Sequence, residues 1–256
     1  MKVIINNVLT SVTASSEDSS YPATNLTDER PKLVWRANGV DSAVLTCNNT
    51  GDFNTVVLFN TNADSATAAI SDPNGITFDG VTWDGVDWVQ GDVILTGEFF
   101  QSGNSGILWL DLPETVSNTL NVAISLAAAT GTVVEAGVVC MGVPTEFTDP
   151  RYGIGQELID YSISREASNG SEYYKARDRV RVFTCDFLAD RSSQDSEYYT
   201  FMNDLARDVG RIPLVWRIVD NTNTEWVVYG RLADMPTSTH AYPNHAPISF
   251  SIKEVL

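Results

Sequence analysis

The chain has 256 residues, of which 43% are hydrophobic and 19% are charged, a balance typical of a folded protein. Its formal net charge of −17 argues against a general nucleic-acid binder, because such proteins neutralise phosphates with clustered Lys and Arg. No apolar stretch approaches the roughly 18 residues that a membrane span needs, and the first residues resemble a strand rather than a signal peptide. We therefore expect a soluble protein that is not exported through a cleaved signal.

The charge is unevenly distributed along the chain. Residues 1–145 hold 16 acidic and 4 basic side chains, whereas residues 146–256 hold 17 acidic and 12 basic side chains. Two halves that differ so much in charge predict two domains, 1–145 and 146–256.

The N-terminal half consists of short apolar runs that are separated by clusters of turn residues. The runs include AVLTC, NTVVLFN, ILWLDL, LNVAISL and TVVEAGVVCMG. Such short runs between turns are typical of strands, so this half is predicted to be an antiparallel β-sandwich or jelly roll without a long helix. Residues 19–31 contain two prolines and read as an ordered loop.

The C-terminal half begins after a boundary segment at 143–155 and shows a different pattern. Residues 178–188 predict a strand, residues 193–209 predict an amphipathic helix, and three further strands follow up to the C-terminus. The helix is expected to begin at Ser192 or Ser193 and to end at Gly210 in the left-handed conformation. Its apolar stripe is Tyr198, Phe201, Met202, Leu205 and Val209. This half is therefore predicted to be an α+β domain with one helix on an antiparallel sheet.

No catalytic constellation is recognisable. The two histidines, His240 and His245, lie in one loop-like segment, and the chain contains neither a nucleophile elbow nor a glycine-rich phosphate loop. Three widely spaced cysteines, Cys47, Cys140 and Cys185, are interpreted as buried thiols and not as a disulfide framework or zinc site. We predict no enzyme activity, no cofactor and no metal.

The most suggestive local feature is FDGVTWDGVDWVQGD at residues 78–92. Trp83, Asp84, Asp87 and Trp88 form a candidate carbohydrate site, because exposed indoles stack on sugars while carboxylates accept bonds from hydroxyl groups. Two alternatives are that the tryptophans belong to a core and that the aspartates form acidic turns. The spacing of the aspartates does not match a known calcium loop.

Two short motifs carry a resemblance to a known family. YPATNLTDERPKLVWRA at 21–37 and VVEAGVVCMG at 133–142 resemble segments of galactose-binding-like (discoidin-type) jelly rolls in tailed-phage structural proteins. Asn25, Leu26, Trp35 and Arg36 match the first motif, and Glu135, Gly137 and Gly142 match the second. The C-terminal half resembles the ring domains of tail-tube and distal tail proteins, although the domain order is reversed relative to known distal tail proteins.

This resemblance implies a virion protein of the phage tail tip, assembled in the host bacterial cytoplasm. The chain is then expected to form a homo-oligomeric ring, a hexamer or a trimer, through which DNA passes without sequence-specific binding. Its expected partners are tail-tube, hub and receptor-binding proteins. Arg177, Arg179 and Arg181 are candidate inter-subunit contacts, with a solvated strand face or pairing within one subunit as the alternative. The alternative function is a carbohydrate-binding module protein without catalytic activity.

Overall fold

The computed structural model describes residues 1–71, 82–83, 88–89, 95–96, 98–102, 105–116, 121–151, 153–166, 171–219, 226–239 and 242–255. The chain divides into two compact units. One comprises Lys2–Thr145 with Asn221–Val227, and the other comprises Met1, Glu146–Asp220 and Val228–Leu256. Most of the described residues lie in antiparallel strands, so the protein is mainly β, as the sequence predicted. Among the described residues, no helix has both the length and the apolar character needed to cross a membrane.

The strands of the N-terminal half are β1 (Lys2–Ile4), β2 (Leu9–Ala14), β3 (Trp35–Arg36), β4 (Ser42–Asn49), β5 (Phe53–Thr61), β6 (Ser65–Ser71), β7 (Thr82–Trp83), β8 (Trp88–Val89), β9 (Leu95–Thr96), β10 (Glu98–Ser102), β11 (Ser105–Val116), β12 (Asn121–Ala127), β13 (Glu135–Ala136), β14 (Val138–Gly142) and β15 (Thr145–Glu146). The predicted loop at 19–31 contains a short 3-10 helix, Ala23–Thr27.

Two sheets form a β-sandwich of jelly-roll type in this unit. One sheet has the strand order β2–β4–β12–β6–β9 and the other has the order β10–β11–β5–β14, and all of these neighbours are antiparallel. Their facing side chains make one apolar core that includes Leu45, Ile124, Leu58 and Leu108. The predicted sandwich is therefore confirmed.

The two sheets differ in how far their outer faces are exposed. In β4 and β12, buried and more exposed residues alternate, so Leu45 and Ile124 point into the core while Val44 and Ser125 point away from it. In β5, by contrast, every residue from Thr55 to Phe59 is buried. The five-stranded sheet thus has one accessible face, whereas the described part of β5 is buried on both faces.

The C-terminal strands are β16 (Gly155–Asp160), β17 (Ile163–Glu166), β18 (Glu172–Lys175), β19 (Arg179–Asp190), β20 (Leu214–Arg217), β21 (Val227–Leu232), β22 (Thr237–Ser238) and β23 (His245–Glu254). Within this unit the sheet order is β20–β21–β23–β19–β16, and β22 also pairs with β23. The predicted alternation in the last strand is confirmed, because Ile248, Phe250 and Ile252 are all buried. The sequence had not predicted β16, β17, β18 or β22.

The predicted helix exists and ends at Val209 as expected, but it begins later than predicted. Helix α1 begins at Glu197 (Glu197–Tyr199) and continues as a π-helical segment, Thr200–Val209. Ser192 and Ser193 do not cap it, since Ser192 instead bonds Asp190, and Glu197 accepts hydrogen bonds from the backbone of Thr148 and Asp190.

Gly210 does not end the helix in the left-handed conformation, because its φ is −62°. Of the predicted apolar stripe, Phe201 and Leu205 are buried, whereas Tyr198, Met202 and Val209 are only partly covered. Ala206 is buried as well.

Phe201 anchors the helix in an aromatic cluster. Its ring centroid lies 5.0 Å from that of Phe187, 5.4 Å from that of Phe147 and 5.0 Å from that of Phe250. Edge-to-face packing of this kind adds to the free energy gained from burial.

We predict that Phe201→Ala lowers the free energy of unfolding by about 3–5 kcal/mol, because it removes a fully buried ring from this cluster. Met202→Ala, one residue along the same helix and only partly buried, is the control and should cost clearly less. Urea unfolding followed by tryptophan fluorescence measures both. A loss below about 1 kcal/mol for Phe201→Ala would show that the ring does not hold the helix on the sheet.

Candidate ligand-binding and assembly surfaces

A groove with a volume of about 320 Å³ lies on the accessible face of the five-stranded sheet. Five of its lining residues carry hydroxyl groups, one or two from each contributing segment: Ser15, Ser42, Ser65, Thr67 and Ser125. Strand register brings them together, because Ser125 lies opposite both Val44 and Thr67 while Ala127 lies opposite Ser42 and Ser65. The remaining lining residues are Ala43, Val44, Ala66, Leu126 and Ala127.

The groove is lined by uncharged residues in a chain that is strongly acidic. None of its lining residues is charged, although the chain carries 33 acidic side chains. Each hydroxyl group both donates and accepts hydrogen bonds, and the Ser15 Oγ already accepts one from the Val44 backbone at 2.9 Å. Small side chains leave the sheet open to close approach. The groove therefore suits an uncharged ligand that is rich in hydroxyl groups.

A second pocket of about 310 Å³ adjoins the groove and shares Ser42 with it. It is formed by two loops, at 39–42 and 131–133, in which Gly39 and Gly131 take positive φ values of 70° and 81°. Only glycine adopts such values without strain. Asp41 contributes the one charged side chain of this lining, and its carboxylate is available as a hydrogen-bond acceptor.

The predicted site at Trp83, Asp84, Asp87 and Trp88 is only partly described by the structure. β7 pairs with β8 so that Trp83 lies directly opposite Trp88 in the register. Asp84 and Asp87 lie outside the described residues. The role of these four residues in carbohydrate binding remains a prediction.

The two motifs at 21–37 and 133–142 contact each other in the structure. Strand β3 of the first motif pairs with β13 of the second, placing Arg36 opposite Glu135. The Arg36 Nη2 and Nε atoms donate to Glu135 Oε2 at 2.8 and 3.0 Å, and this bond raises the pKa of Arg36 above its usual value. The Arg36 guanidinium also lies 4.5 Å from the centre of the Tyr21 ring, a cation–π distance.

The other motif residues pack in the core or donate hydrogen bonds to backbone carbonyl groups. Asn25 Nδ2 donates to the Val34 carbonyl at 2.9 Å, and the Trp35 indole donates to the Ser16 carbonyl at 3.2 Å. Leu26 and Trp35 are fully buried. A Cβ atom at Gly137 would overlap the Pro31 carbonyl oxygen, and one at Gly142 would lie 2.5 Å from the Asn6 carbonyl oxygen. The motifs therefore maintain the sandwich, and the motif residues named above do not line the groove.

The structure gives two of the three candidate inter-subunit arginines partners within the chain. Arg181 Nη2 lies 2.6 Å from Glu254 Oε1, with both side chains mostly covered, and Arg179 Nε lies 3.2 Å from Asp160 Oδ2 at an exposed position. The backbone N–H of Arg177 is bound by Ser162 Oγ at 3.0 Å. Arg179 and Arg181 thus have ion-pair partners within the chain, and a role of the three arginines between subunits stays a prediction.

The cysteines match their sequence interpretation. Cys47, Cys140 and Cys185 are free and buried, and burial raises the pKa of each thiol to about 12. Because the reactive form of cysteine is the thiolate, such thiols are inert nucleophiles at neutral pH. No group of three or more His, Cys, Asp or Glu side chains with metal-binding geometry occurs among the described residues.

Comparisons with known proteins give structural neighbours only. No protein-family model matches the chain. No curated protein matches its sequence. A chain from the complex of reduced XRCC1 with the DNA polymerase β catalytic domain is 17% identical, with a TM-score of 0.38 over 54% of this chain and 99% of that chain.

Two further neighbours come from bacteria. A mutant of chitosan-binding module 1 from the chitosanase/glucanase of Paenibacillus sp. IK-5 is 18% identical, with a TM-score of 0.37 over 55% of this chain and 98% of that chain. CpGH89CBM32-6 of Clostridium perfringens is 15% identical, with a TM-score of 0.30 over 51% of this chain and 90% of that chain. At these scores and identities the neighbours carry no argument about function.

We predict that Gly137→Ala lowers the free energy of unfolding of the sandwich by at least about 3 kcal/mol, because the added methyl group meets backbone that side-chain motion cannot relieve. Gly39→Ala is the control in the same unit. Its Cβ meets nothing within 4 Å, so only its positive φ adds a cost, about 1–2 kcal/mol. Equal losses for the two variants in chemical unfolding would contradict the close approach at Gly137.

Proposed function

We propose that this chain is a non-catalytic carbohydrate-binding protein, and that its N-terminal sandwich binds a neutral saccharide in the outward groove. The observation that carries the proposal is the set of five hydroxyl side chains that converge on one uncharged groove. Sugar hydroxyl groups and serine or threonine hydroxyl groups pair as mutual donors and acceptors. The alanine and leucine atoms of the lining offer apolar contact to the C–H faces of a sugar ring.

The dimensions and the neighbouring pocket support the same proposal. A volume of about 320 Å³ lies at the small end of the usual range for ligand pockets, which begins near 300 Å³. The adjoining loop pocket extends the surface past Ser42, where the Asp41 carboxylate is placed to accept a hydrogen bond from a sugar hydroxyl. A saccharide longer than one ring would then contact both the sheet and the loops.

We predict that Ser125→Tyr weakens binding of a neutral oligosaccharide at least about tenfold, because Ser125 points outward at the centre of the groove and a ring there fills it. Thr13→Tyr is the matched control, since Thr13 is exposed on β2 of the same sheet but does not line the groove. Isothermal titration against a panel of neutral oligosaccharides measures both. Binding that survives Ser125→Tyr but is lost on Trp83→Ala and Trp88→Ala would move the site to the tryptophan pair, and no binding across the panel would overturn the proposal.

A second proposal is a structural role in the tail tip of a long-tailed phage, where a homo-oligomeric ring of this chain joins the tail tube to the host-recognition apparatus. The observation that favours it is the C-terminal sheet with one packed helix and with β16 as an end strand, an arrangement suited to addition of a neighbouring subunit. Localisation in the virion and partners among the tail proteins belong to this proposal. The two roles are compatible, because a sugar-binding domain at a tail tip would face the host surface.

We predict that negative-stain electron microscopy of the purified full chain shows closed rings of three or six copies with a central opening. Cyclic closure follows from a heterologous contact repeated by a fixed rotation. Images that contain only single chains or open filaments would contradict the ring.

A further inference from the structure

The C-terminal unit carries two consecutive antiparallel ladders, which we call the arm (residues 155–166 and 171–184). β16 pairs with β19 from Gly155 opposite Thr184 to Asp160 opposite Arg179, and β17 pairs with β18 from Ile163 opposite Lys175 to Glu166 opposite Glu172. The two ladders follow one another along the chain, so they form one antiparallel hairpin. In the C-terminal sheet, β16 is an end strand, with a pairing partner on one side only among the described residues.

The arm exposes apolar side chains that a solitary surface strand would not carry. Leu158, Tyr173 and Tyr174 are 58%, 61% and 59% exposed, and they are among the most exposed large apolar residues described. Every described residue from 171 to 179 is exposed, as are Gly155 through Leu158. Exposed large apolar side chains beside the unpaired edge of β16 favour a surface that another chain covers.

The far part of the arm is weakly supported by its own contacts. An isolated two-stranded hairpin is at best marginally stable in water, and among the described residues β17 and β18 pair only with each other. Glu166 and Glu172 also face each other directly, and like charges in that position destabilise a ladder. Coverage by another surface would supply the packing that the isolated ladder lacks.

The cationic side chains of the arm favour an acidic partner. Residues 155–184 contain five acidic and five basic residues, so the whole net charge of −17 comes from the rest of the chain. The side chains of Arg165, Lys175 and Arg177 make no ion pair among the described residues, in contrast to Arg179 and Arg181. Three cations that have no ion pair among the described residues, on the same arm as exposed tyrosines, suit an acidic protein surface, and a second copy of this chain is such a surface.

We infer that the arm is a self-association surface, which binds a second copy of this chain by strand addition along β16 and by burial of Leu158, Tyr173 and Tyr174. The inference is independent of the carbohydrate proposal, which concerns the other unit. It would supply the contact for the proposed ring, but it holds equally for a dimer, so failure of ring formation leaves it standing.

Sedimentation velocity of the full chain over a range of concentrations tests the inference. The wild-type mass should rise with concentration. Leu158→Lys should weaken association at least about tenfold, since a lysine on an edge strand opposes strand addition. Y173S combined with Y174S should have a similar effect by removing buried ring area.

Met235→Lys is the matched control, because Met235 is 56% exposed in the same unit but lies outside the arm. It should associate as the wild type does. Hydrogen exchange supplies a second readout that does not depend on the variants: amides of residues 155–160 should exchange more slowly at high protein concentration. A wild type that stays a single chain at every concentration overturns the inference, and so does association that Leu158→Lys and the tyrosine variant leave unchanged.

Discussion

The alternation of buried and outward residues in β4, β12 and β6 is the constraint on which the rest of the N-terminal unit depends. Leu45, Ile124 and Ala68 lie in one register row and fill the core between the sheets. Because successive side chains of a strand point to opposite faces, fixing this row also fixes Val44, Ser125 and Thr67 on the outside. A shift of one residue would bury the hydroxyl groups and expose the core. The same packing that stabilises the sandwich therefore builds the groove.

The surfaces of the two units differ in their chemistry. The groove of the sandwich is lined by hydroxyl-bearing and apolar side chains and by no charged ones, although the chain as a whole is strongly acidic. The C-terminal unit places its apolar anchor, the Phe147, Phe187, Phe201 and Phe250 cluster, around the helix. Its arm instead leaves tyrosines and cations exposed. Ligand binding on one unit and self-association through the other are consistent with this division of chemistry.

The sequence predicted the features that repeat over many residues. The alternating runs AVLTC and LNVAISL predicted strands, because apolar residues at every second position indicate that one face of a strand is buried. The same alternation places Ser125 on the outward face, a signal of the groove that the sequence analysis did not use. The arm was missed because Tyr173, Tyr174 and Leu158 follow no burial pattern when both faces of a hairpin are exposed. The predicted helix start was wrong because tertiary contacts, Glu197 with Thr148 and Asp190, set the start that local capping preferences had placed earlier.

The central claim is that the accessible face of the five-stranded sheet is the ligand surface. Hydrogen exchange of the full chain with and without a saturating neutral oligosaccharide tests it without any substitution. The account predicts slower exchange confined to peptides that cover 42–46, 65–67 and 123–127, the segments whose side chains line the groove or border it. Unchanged exchange in these segments, with protection only elsewhere in the chain, would contradict it.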